Sequence, residues 1–190
     1  MTDVAIVYFS GYGHTVKQAE ALEAGASSIQ GTKVDVLRID ENGDLPNGGW
    51  DKLKEARAIV FGSPTYMGGP AWQFKRVADA SSKPWFSQEW KNKIAGGFTT
   101  SATTNGDKAS TISYFVTLAM QHSMVWAGTA VMPANAKANG PDDAGWTGGM
   151  TGALAIAPSD ASPEEGAAKG DMETARLYGA RVAEMAMKLN

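Results

Sequence analysis

The feature that most constrains the fold is an unbroken apolar run from Val4 to Phe9, close to the start of the chain. A short run without polar interruptions is typical of a strand that is buried on both faces, as in a parallel sheet covered by helices. Apolar residues then recur at three- and four-residue intervals from Val16 to Ile29, which predicts a helix with one face on the sheet. The chain therefore begins with the strand–helix unit of an α/β protein.

This pairing of strand and helix occurs five times along the chain. We predict the other strands over residues 33–39, 58–61, 93–100 and 122–129, and the other helices over residues 50–56, 71–80, 107–121 and 171–189. Such alternation favours a right-handed, doubly wound parallel sheet with helices on both faces. We expect residues 1–190 to form a single α/β domain of this kind with five strands and no domain boundary.

Two details concern the last third of the chain. Residues 133–152 form a long stretch rich in Asn, Asp, Gly and Pro, and irregular segments of that length are usually functional or flexible. Residues 153–157 are expected to resume strand structure after it. Asp171 stands where it could cap the last helix.

Composition and charge exclude several functional classes. The chain has no cysteine, which excludes disulfides, iron–sulfur ligation and thiol catalysis, and two histidines are too few for a typical histidine-rich metal site, so we expect no metal. The net charge of −3 gives no reason to expect a nucleic acid or an anionic membrane as partner. No apolar run approaches the roughly 20 residues that cross a bilayer, and no signal peptide is visible. We therefore expect a cytoplasmic protein that does not insert into membranes.

The first predicted strand ends in a loop of glycine and hydroxyl-bearing residues, from Ser10 to Thr15. Backbone N–H groups are unpaired where a helix begins, and the helix dipole favours an anion there. Gly11 and Gly13 would let the backbone approach closely, and the hydroxyls of Ser10 and Thr15 could donate hydrogen bonds. We interpret this loop as a phosphate site. The alternative is an ordinary strand-to-helix turn that uses Gly and Ser for its geometry.

The spacing within this loop narrows the class of phosphate-containing ligand that the loop could bind. No Gly-Lys-Ser/Thr follows, so the loop is not a Walker motif, and the Gly-x-Gly-x-x-Gly spacing of dinucleotide-binding loops is absent. What remains is a monophosphate held by hydroxyl donors without a lysine. A mononucleotide such as FMN fits this description.

Two further polar loops follow the third and fourth predicted strands, over residues 62–70 and 99–106. In doubly wound sheets ligands bind at the carboxyl ends of the strands where the strand order reverses, and flavodoxin with FMN at this point is the general example. The second loop would pack a flat ring with backbone amides and with Tyr66 or Met67. The third would offer N–H and hydroxyl donors to the polar edge of the ring.

Each of these features also has a simpler explanation. Tyr66 and Met67 could be loop residues beside a helix cap, and His14 could merely begin a helix. Trp85 and Trp90 could pack on the edge of the core. The functional interpretation depends on the conjunction of three such loops at strand ends.

Several stretches resemble the flavodoxin-like NAD(P)H:quinone oxidoreductases of the WrbA type. They are Tyr8–His14 (YFSGYGH), Gly62–Gly68 (GSPTYMG), Phe98–Thr103 (FTTSAT), His122–Val125 (HSMV) and Asp171–Leu189. The resemblance implies a flavodoxin-like α/β fold with five parallel strands in the order 2-1-3-4-5. It implies non-covalently bound FMN and two-electron reduction of quinones by NADH or NADPH. It also implies a homo-oligomer, a dimer or tetramer, in which a neighbouring subunit completes each site.

The resemblance further implies the residues of the site. Carried over by position, the FMN-binding residues are Ser10, Tyr12, Gly13, His14, Thr15, Val16, Pro64, Thr65, Tyr66, Met67, Gly68, Thr100, Ser101, Ala102, Thr103, Thr104, Asn105, Gln121 and His122. Tyr12 and Trp85 would contact the substrate, and no side chain would act as a catalytic nucleophile.

The chain departs from the family pattern at four positions. Tyr66 and Met67 stand where the family commonly has Arg and Phe, Gln121 replaces the first of two histidines, and Ala102 replaces a Gly. Two alternatives to a quinone reductase are therefore kept open. One is a flavodoxin-type one-electron carrier that binds FMN and turns over no substrate, although such carriers are usually strongly acidic. The other is a flavin-free binding or scaffold protein on the same fold.

Overall fold

Strands and helices alternate in the computed structural model, which describes residues 3–188, as the apolar pattern predicts. The strands are β1 (Val4–Tyr8), β2 (Val34–Arg38), β3 (Ala58–Tyr66), β4 (Gly69–Pro70), β5 (Ile94–Ser101), β6 (Val125–Trp126) and β7 (Ala153–Ile156). The helices are α1 (His14–Ser27), α2 (Gly49–Glu55), α3 (Trp72–Ala80), α4 (Ser82–Phe86), α5 (Lys108–Gln121), α6 (Pro163–Gly166) and α7 (Lys169–Lys188). Leu189, the last residue of the predicted final helix, lies outside the described residues.

The parallel sheet has the order β2-β1-β3-β5-β6, which confirms the predicted flavodoxin-like topology. Its fifth position is more elaborate than expected, because two short strands share it. β6 pairs with the start of β5 at Ile94 and Ala95, and β7 pairs with its end over Phe98–Ser101. Residues 127–152 therefore interrupt the fifth strand, and the chain returns to the same edge of the sheet afterwards.

Helices cover both faces of the sheet, as the unbroken apolar runs predict. On β1, Ala5 and Val7 face a core formed with α2, α3 and α5. Val4, Ile6 and Tyr8 face a second core formed with α1 and α7. Alternating side chains of one strand thus enter two separate apolar layers, which is why the strand carries no polar residue.

The helices α1 and α7 approach each other closely through two glycines. A Cβ atom on Gly25 of α1 would lie 1.8 Å from the carbonyl oxygen of Arg176, and one on Gly179 of α7 would lie 2.0 Å from that of Leu22. No side chain fits at either position, because the backbone of one helix rests directly on the other. This contact fixes where α1, and with it the first loop, lies on the sheet.

β3 runs five residues beyond its predicted end at Phe61. Residues 62–64 continue to pair with β5, and Thr65 and Tyr66 pair with β4 in an antiparallel hairpin. Met67 and Gly68 form its two-residue turn with φ angles of 48° and 77°, the left-handed values of a type I′ hairpin turn. The predicted second loop is therefore largely strand.

Two other expectations were wrong in detail. The last helix begins at Lys169, so Asp171 lies in its first turn and does not cap it. Its carboxylate instead accepts a hydrogen bond from the Ile156 N–H at 3.0 Å, and this ties α7 to β7. The connection over residues 81–92 contains a short helix, α4, that the polar sequence did not predict.

Within residues 3–188, no helix combines the length and apolar character needed to cross a bilayer. In the same part of the chain, no group of three or more His, Asp or Glu residues is arranged to hold a metal ion.

Candidate functional site

A cavity of about 330 Å³ opens at the carboxyl ends of β1, β3 and β5, where the three polar loops meet. It is lined by Ser10, Tyr12, His14, Thr15, Pro64, Thr65, Tyr66, Thr100, Ser101, Ala102, Ala157 and Ser159. All but Ala157 and Ser159 were predicted from the sequence to contact a cofactor. Ala157 and Ser159 follow β7. The polar residues after the strand predicted over residues 153–157 were the sequence signal that could have indicated a contribution to the site.

The innermost part of the cavity is the start of α1. Gly13 precedes the helix with a φ of 91°, and no side chain caps the helix or places a carboxylate in its first turn. Ser10 Oγ accepts the Gly13 N–H at 3.2 Å and holds the loop in place. The side chains of Ser10 and Thr15 are buried beside these amides. Uncapped N–H groups, the positive helix end and two hydroxyls together form a site for an anion.

Gly13 is required by its surroundings as well as by its backbone angle. A Cβ atom there would lie 2.6 Å from a ring carbon of Pro163, in α6. His14 contacts the loop that precedes α6, because its Nε2 lies 3.0 Å from the carbonyl oxygen of Ala161. The first loop is therefore fixed from outside by the segment that follows β7.

Gln18 connects the first and third loops and was missed by the sequence predictions. It is fully buried on α1, and its Oε1 accepts the Thr100 hydroxyl at 2.9 Å. Its Nε2 donates to the carbonyl oxygen of Ala153 at 3.1 Å. The sequence signal for this role was a polar residue on the apolar face of the predicted helix, since Gln18 stands four residues before Leu22.

Threonine hydroxyls join the second loop to the third. Thr65 Oγ1 lies 2.8 Å from Thr99 Oγ1 and 2.8 Å from Thr111 Oγ1. The hydroxyls therefore bond to one another at the carboxyl ends of β3 and β5. This arrangement fixes the wall of the cavity between these strands.

Two tyrosines stand at the mouth of the cavity. The rings of Tyr12 and Tyr66 meet edge to face with centroids 6.2 Å apart, and the side chains are 76% and 37% exposed. Gly11 makes room for this pair, because a Cβ atom there would lie 2.6 Å from the Tyr66 hydroxyl. Partial burial raises the pKa of Tyr66, so it stays a neutral aromatic wall at neutral pH.

Comparison with known proteins identifies the family. Residues 13–138 match the family described as NADPH-dependent FMN reductase. The chain is a member of this FMN reductase family. It is 43% identical over 190 residues to a Pseudomonas aeruginosa protein named flavodoxin FldP, with both chains covered completely. It is 32% identical over 206 residues to a Geobacter sulfurreducens NAD(P)H dehydrogenase (quinone), with 99% of each chain covered.

A solved structure agrees with the family and the fold. The flavodoxin, WrbA-like protein from Agrobacterium tumefaciens has 43% sequence identity and a TM-score of 0.80, and all of both chains is covered. Together with the sheet order, this shows a WrbA-type, flavodoxin-like FMN reductase fold.

The cavity fits the FMN that the family name implies. The uncapped start of α1, with buried hydroxyls from Ser10 and Thr15, supplies donors for a phosphate. Further out, the walls are the polar strand ends at Thr100 and Ser101 and the ring of Tyr66. This gradient from anion donors to a flat aromatic surface matches the two ends of the cofactor.

The other predicted residues of the three loops do not line the cavity. Gly13 and Val16 lie beside it on the first loop and α1, and residues 103–105 lie in the third loop outside its lining. Met67 is fully exposed at the tip of the hairpin, with Gly68 next to it.

Trp85, Gln121 and His122 line a second cavity of about 620 Å³ and are not brought to the first one within the chain. For Gln121 and His122 the reason is the direction of α5, which starts beside the carboxyl end of β5 and runs back against the strands. Trp85 lies on α4, next to the end of α5. Just after α5, the carbonyl oxygen of Ser123 accepts the Asn92 N–H at 2.9 Å, at the amino ends of β5 and β6. The end of α5 therefore lies far from the three loops.

His122 is buried in a specific setting. Its ring stacks on Trp90 with centroids 4.1 Å apart, and its Nε2 lies 2.8 Å from Ser81 Oγ. Because Ser81 gives its one proton to the carbonyl oxygen of Ala78 at 2.7 Å, His122 Nε2 carries a hydrogen and donates it. Nδ1 is buried without a partner among the described residues. Burial lowers the pKa of His122 to about 4, so the ring is neutral at neutral pH.

We expect His122 to reduce stability as the pH falls from 6.5 to 4. The unfolded chain binds a proton at the ordinary pKa of 6.5, whereas the folded pKa is lowered to about 4, so protonation favours unfolding throughout this window. At pH 5 the loss from this one residue is about 2 kcal/mol in the free energy of unfolding. Urea unfolding of wild type and His122→Gln at pH 7.5 and pH 5 measures it. A variant with the same pH dependence as wild type would show that His122 does not contribute.

Proposed function

We propose that this FMN reductase family member is an FMN-dependent NAD(P)H:quinone oxidoreductase. The observation that carries the proposal is the convergence of three polar strand-end loops on one cavity with an anion site at its base and exposed tyrosines at its mouth. Both a carrier and a reductase need the three loops to hold FMN, whereas the exposed tyrosines at the opening offer room for a second flat molecule, which only the reductase requires. The Geobacter sulfurreducens relative named NAD(P)H dehydrogenase (quinone) supports the same assignment.

The bound FMN would supply the redox chemistry, taking two electrons from the nicotinamide and giving two to the quinone. The chain supplies binding and orientation. Ser10, Thr15 and the amides of α1 hold the phosphate, and Tyr12 and Tyr66 offer apolar faces against which a flat substrate stacks. Holding the two rings in contact accounts for the rate, because stacking replaces a chance encounter in water.

We also propose that the protein is a homo-oligomer, a dimer or tetramer. Trp85, Phe86 and Met120 are exposed around the second cavity, with 47%, 84% and 49% of their surfaces accessible. In this proposal the second cavity of one copy faces the first cavity of another. Trp85, Gln121 and His122 would then meet the flavin and the substrate of a neighbouring subunit.

One observation favours a second candidate function. The Pseudomonas aeruginosa relative with 43% identity is named a flavodoxin. A one-electron carrier of this kind would bind FMN at the same loops and would depend on protein partners for its electrons. The two functions differ in whether a free nicotinamide reduces the flavin.

The decisive experiment is the visible spectrum of the purified protein, recorded without air before and after NADH or NADPH is added. For a quinone reductase we expect a flavin spectrum that bleaches within seconds to minutes and returns when benzoquinone is added. A control with dithionite shows that the flavin can be reduced. A spectrum that responds to dithionite and ignores both nicotinamides supports the carrier, and a protein that takes up no FMN contradicts both functions.

A further inference from the structure

Lys108, the first residue of α5, is a lysine with an unusual environment. Its side chain is 2% exposed, and its Nζ donates to Ser101 Oγ at 2.7 Å and to the carbonyl oxygens of Thr103 and Thr104 at 2.8 Å and 2.9 Å. The ammonium group thus lies inside the third loop and holds it from within. Neither composition nor the polar loop pattern predicted this residue.

The hydrogen bonds favour the charged form of Lys108, against burial, which lowers its pKa. The two carbonyl oxygens can only accept, and Ser101 Oγ gives its own proton to the carbonyl oxygen of Thr103 at 3.0 Å, so it too accepts from Nζ. Three acceptors require three N–H groups, and only the ammonium form has them. None of the ion pairs within residues 3–188 includes Lys108. It is a buried cation whose direct partners are all neutral.

Lys108 also sets the direction of the loop amides. Because a peptide unit is planar and trans, a carbonyl that points to Nζ directs the next N–H the opposite way. The N–H groups of Thr104 and Asn105 therefore point away from the ammonium, and neither donates to an acceptor in the part of the chain that the structure describes. Ser101, bonded to the ammonium at 2.7 Å, lines the flavin cavity. The cation lies one hydrogen bond behind the cavity wall.

We infer that Lys108 is a positioning residue that raises the two-electron reduction potential of FMN bound at this site. The inference rests on the proposed FMN site. Reduction of a flavin by two electrons and one proton leaves one negative charge on the polar edge of its ring, the edge assigned to the third loop. A buried cation one hydrogen bond away stabilises that charge, since water screens it little there. Reduction by a nicotinamide becomes more favourable.

The test compares variants that separate charge from hydrogen bonding. Lys108→Gln keeps two donors and loses the charge, Lys108→Arg keeps the charge, and Lys91→Gln removes an exposed lysine far from the loop as a control. The potential is measured by anaerobic titration against a reference dye, and FMN affinity by fluorescence quenching. We expect Lys108→Gln to shift the equilibrium with the dye about tenfold toward oxidised flavin, a potential lower by about 30 mV. Lys108→Arg and Lys91→Gln should stay within about twofold of wild type.

The possible outcomes distinguish a failure of the proposed FMN site from a failure of the role inferred for Lys108. If wild type takes up no FMN, the proposed function fails. If Lys108→Gln is folded and loaded with FMN but has the wild-type potential, the role of Lys108 is overturned while FMN binding stands. If Lys108→Gln does not load, Asp171→Asn is measured at pH 8, because the Asp171 carboxylate attracts the Lys108 ammonium and offsets part of its positive charge at the flavin. Its potential should then rise, and an unchanged or lower value overturns the inference.

Discussion

Replacing Thr15 with Asp should lower the affinity for FMN at least about a hundredfold while the apo-protein remains folded. Thr15 is the second residue of α1, and its buried side chain faces the cavity beside the uncapped amides. The substitution removes a hydroxyl donor to a charged phosphate, worth about 1.5–3 kcal/mol, and adds a repelling carboxylate. Since about 1.4 kcal/mol is a factor of ten in affinity, the combined loss exceeds two factors of ten.

The stability of the protein without FMN separates an effect of the substitution on cofactor binding from an effect on folding. A carboxylate in the first turn of a helix interacts favourably with the dipole, by about 0.3–1 kcal/mol, so α1 itself is not weakened. Thr15→Val removes only the hydroxyl and should weaken binding about tenfold or more, whereas Thr15→Ser should be close to wild type. Fluorescence titration of FMN and urea unfolding of each apo-protein are the measurements. If Thr15→Asp bound FMN like wild type, the phosphate would not lie at the start of α1.

Replacing Gly179 with Ala should lower the free energy of unfolding by about 3 kcal/mol or more, or prevent folding. The added Cβ would lie 2.0 Å from the carbonyl oxygen of Leu22, 2.8 Å from its carbonyl carbon and 3.1 Å from the backbone nitrogen of Ala26, all of them in α1. Overpacking usually costs about 1–3 kcal/mol where side chains can move. Here both partners are helix backbone, so one entire helix must shift. Gly25→Ala should behave alike, because its Cβ would lie 1.8 Å from the carbonyl oxygen of Arg176.

Gly140→Ala is the matched control for these two substitutions. No atom lies within 4 Å of the Cβ that it would add, and the φ angle of Gly140 is not positive. Its free energy of unfolding should change by less than about 0.5 kcal/mol or rise slightly, because alanine restricts the unfolded chain. Urea unfolding followed by circular dichroism compares the three variants. Equal stability of Gly179→Ala and Gly140→Ala would mean that α1 and α7 do not pack as closely as described.

The sheet could be predicted from the sequence because its signals are local. The run Val4–Phe9 is apolar on both faces, and the helix after it repeats at three and four residues. The hairpin of β3 and β4 could not be found in this way, because Gly62–Tyr66 has the composition of a loop and becomes strand only through pairing with β5 and β4. Asp171 was misplaced because its partner, the Ile156 N–H, is remote in sequence.

The candidate site was predictable where it consists of strand-end loops. Gln18 and Lys108 were missed because each lies inside a helical pattern, and their importance comes from burial among loop atoms that only the folded chain brings together. Trp85 and His122 show the opposite kind of error, because they were predicted at the site and lie elsewhere within the chain. Their sequence context resembles a flavin site, yet α4 and the end of α5 place them at the opposite end of the strands from the three loops.

The contact between α1 and α7 also bears on how the protein acquires its cofactor in the cell. α1 carries the amides of the proposed phosphate site and is synthesised well before α7, on which it rests through Gly25 and Gly179. Ala153 and Pro163, which fix Gln18 and Gly13, also emerge late from the ribosome. A nascent chain therefore has the phosphate loop without its supports. On the proposed FMN site, we therefore expect the cofactor to bind only after α7 has been synthesised and packed on α1.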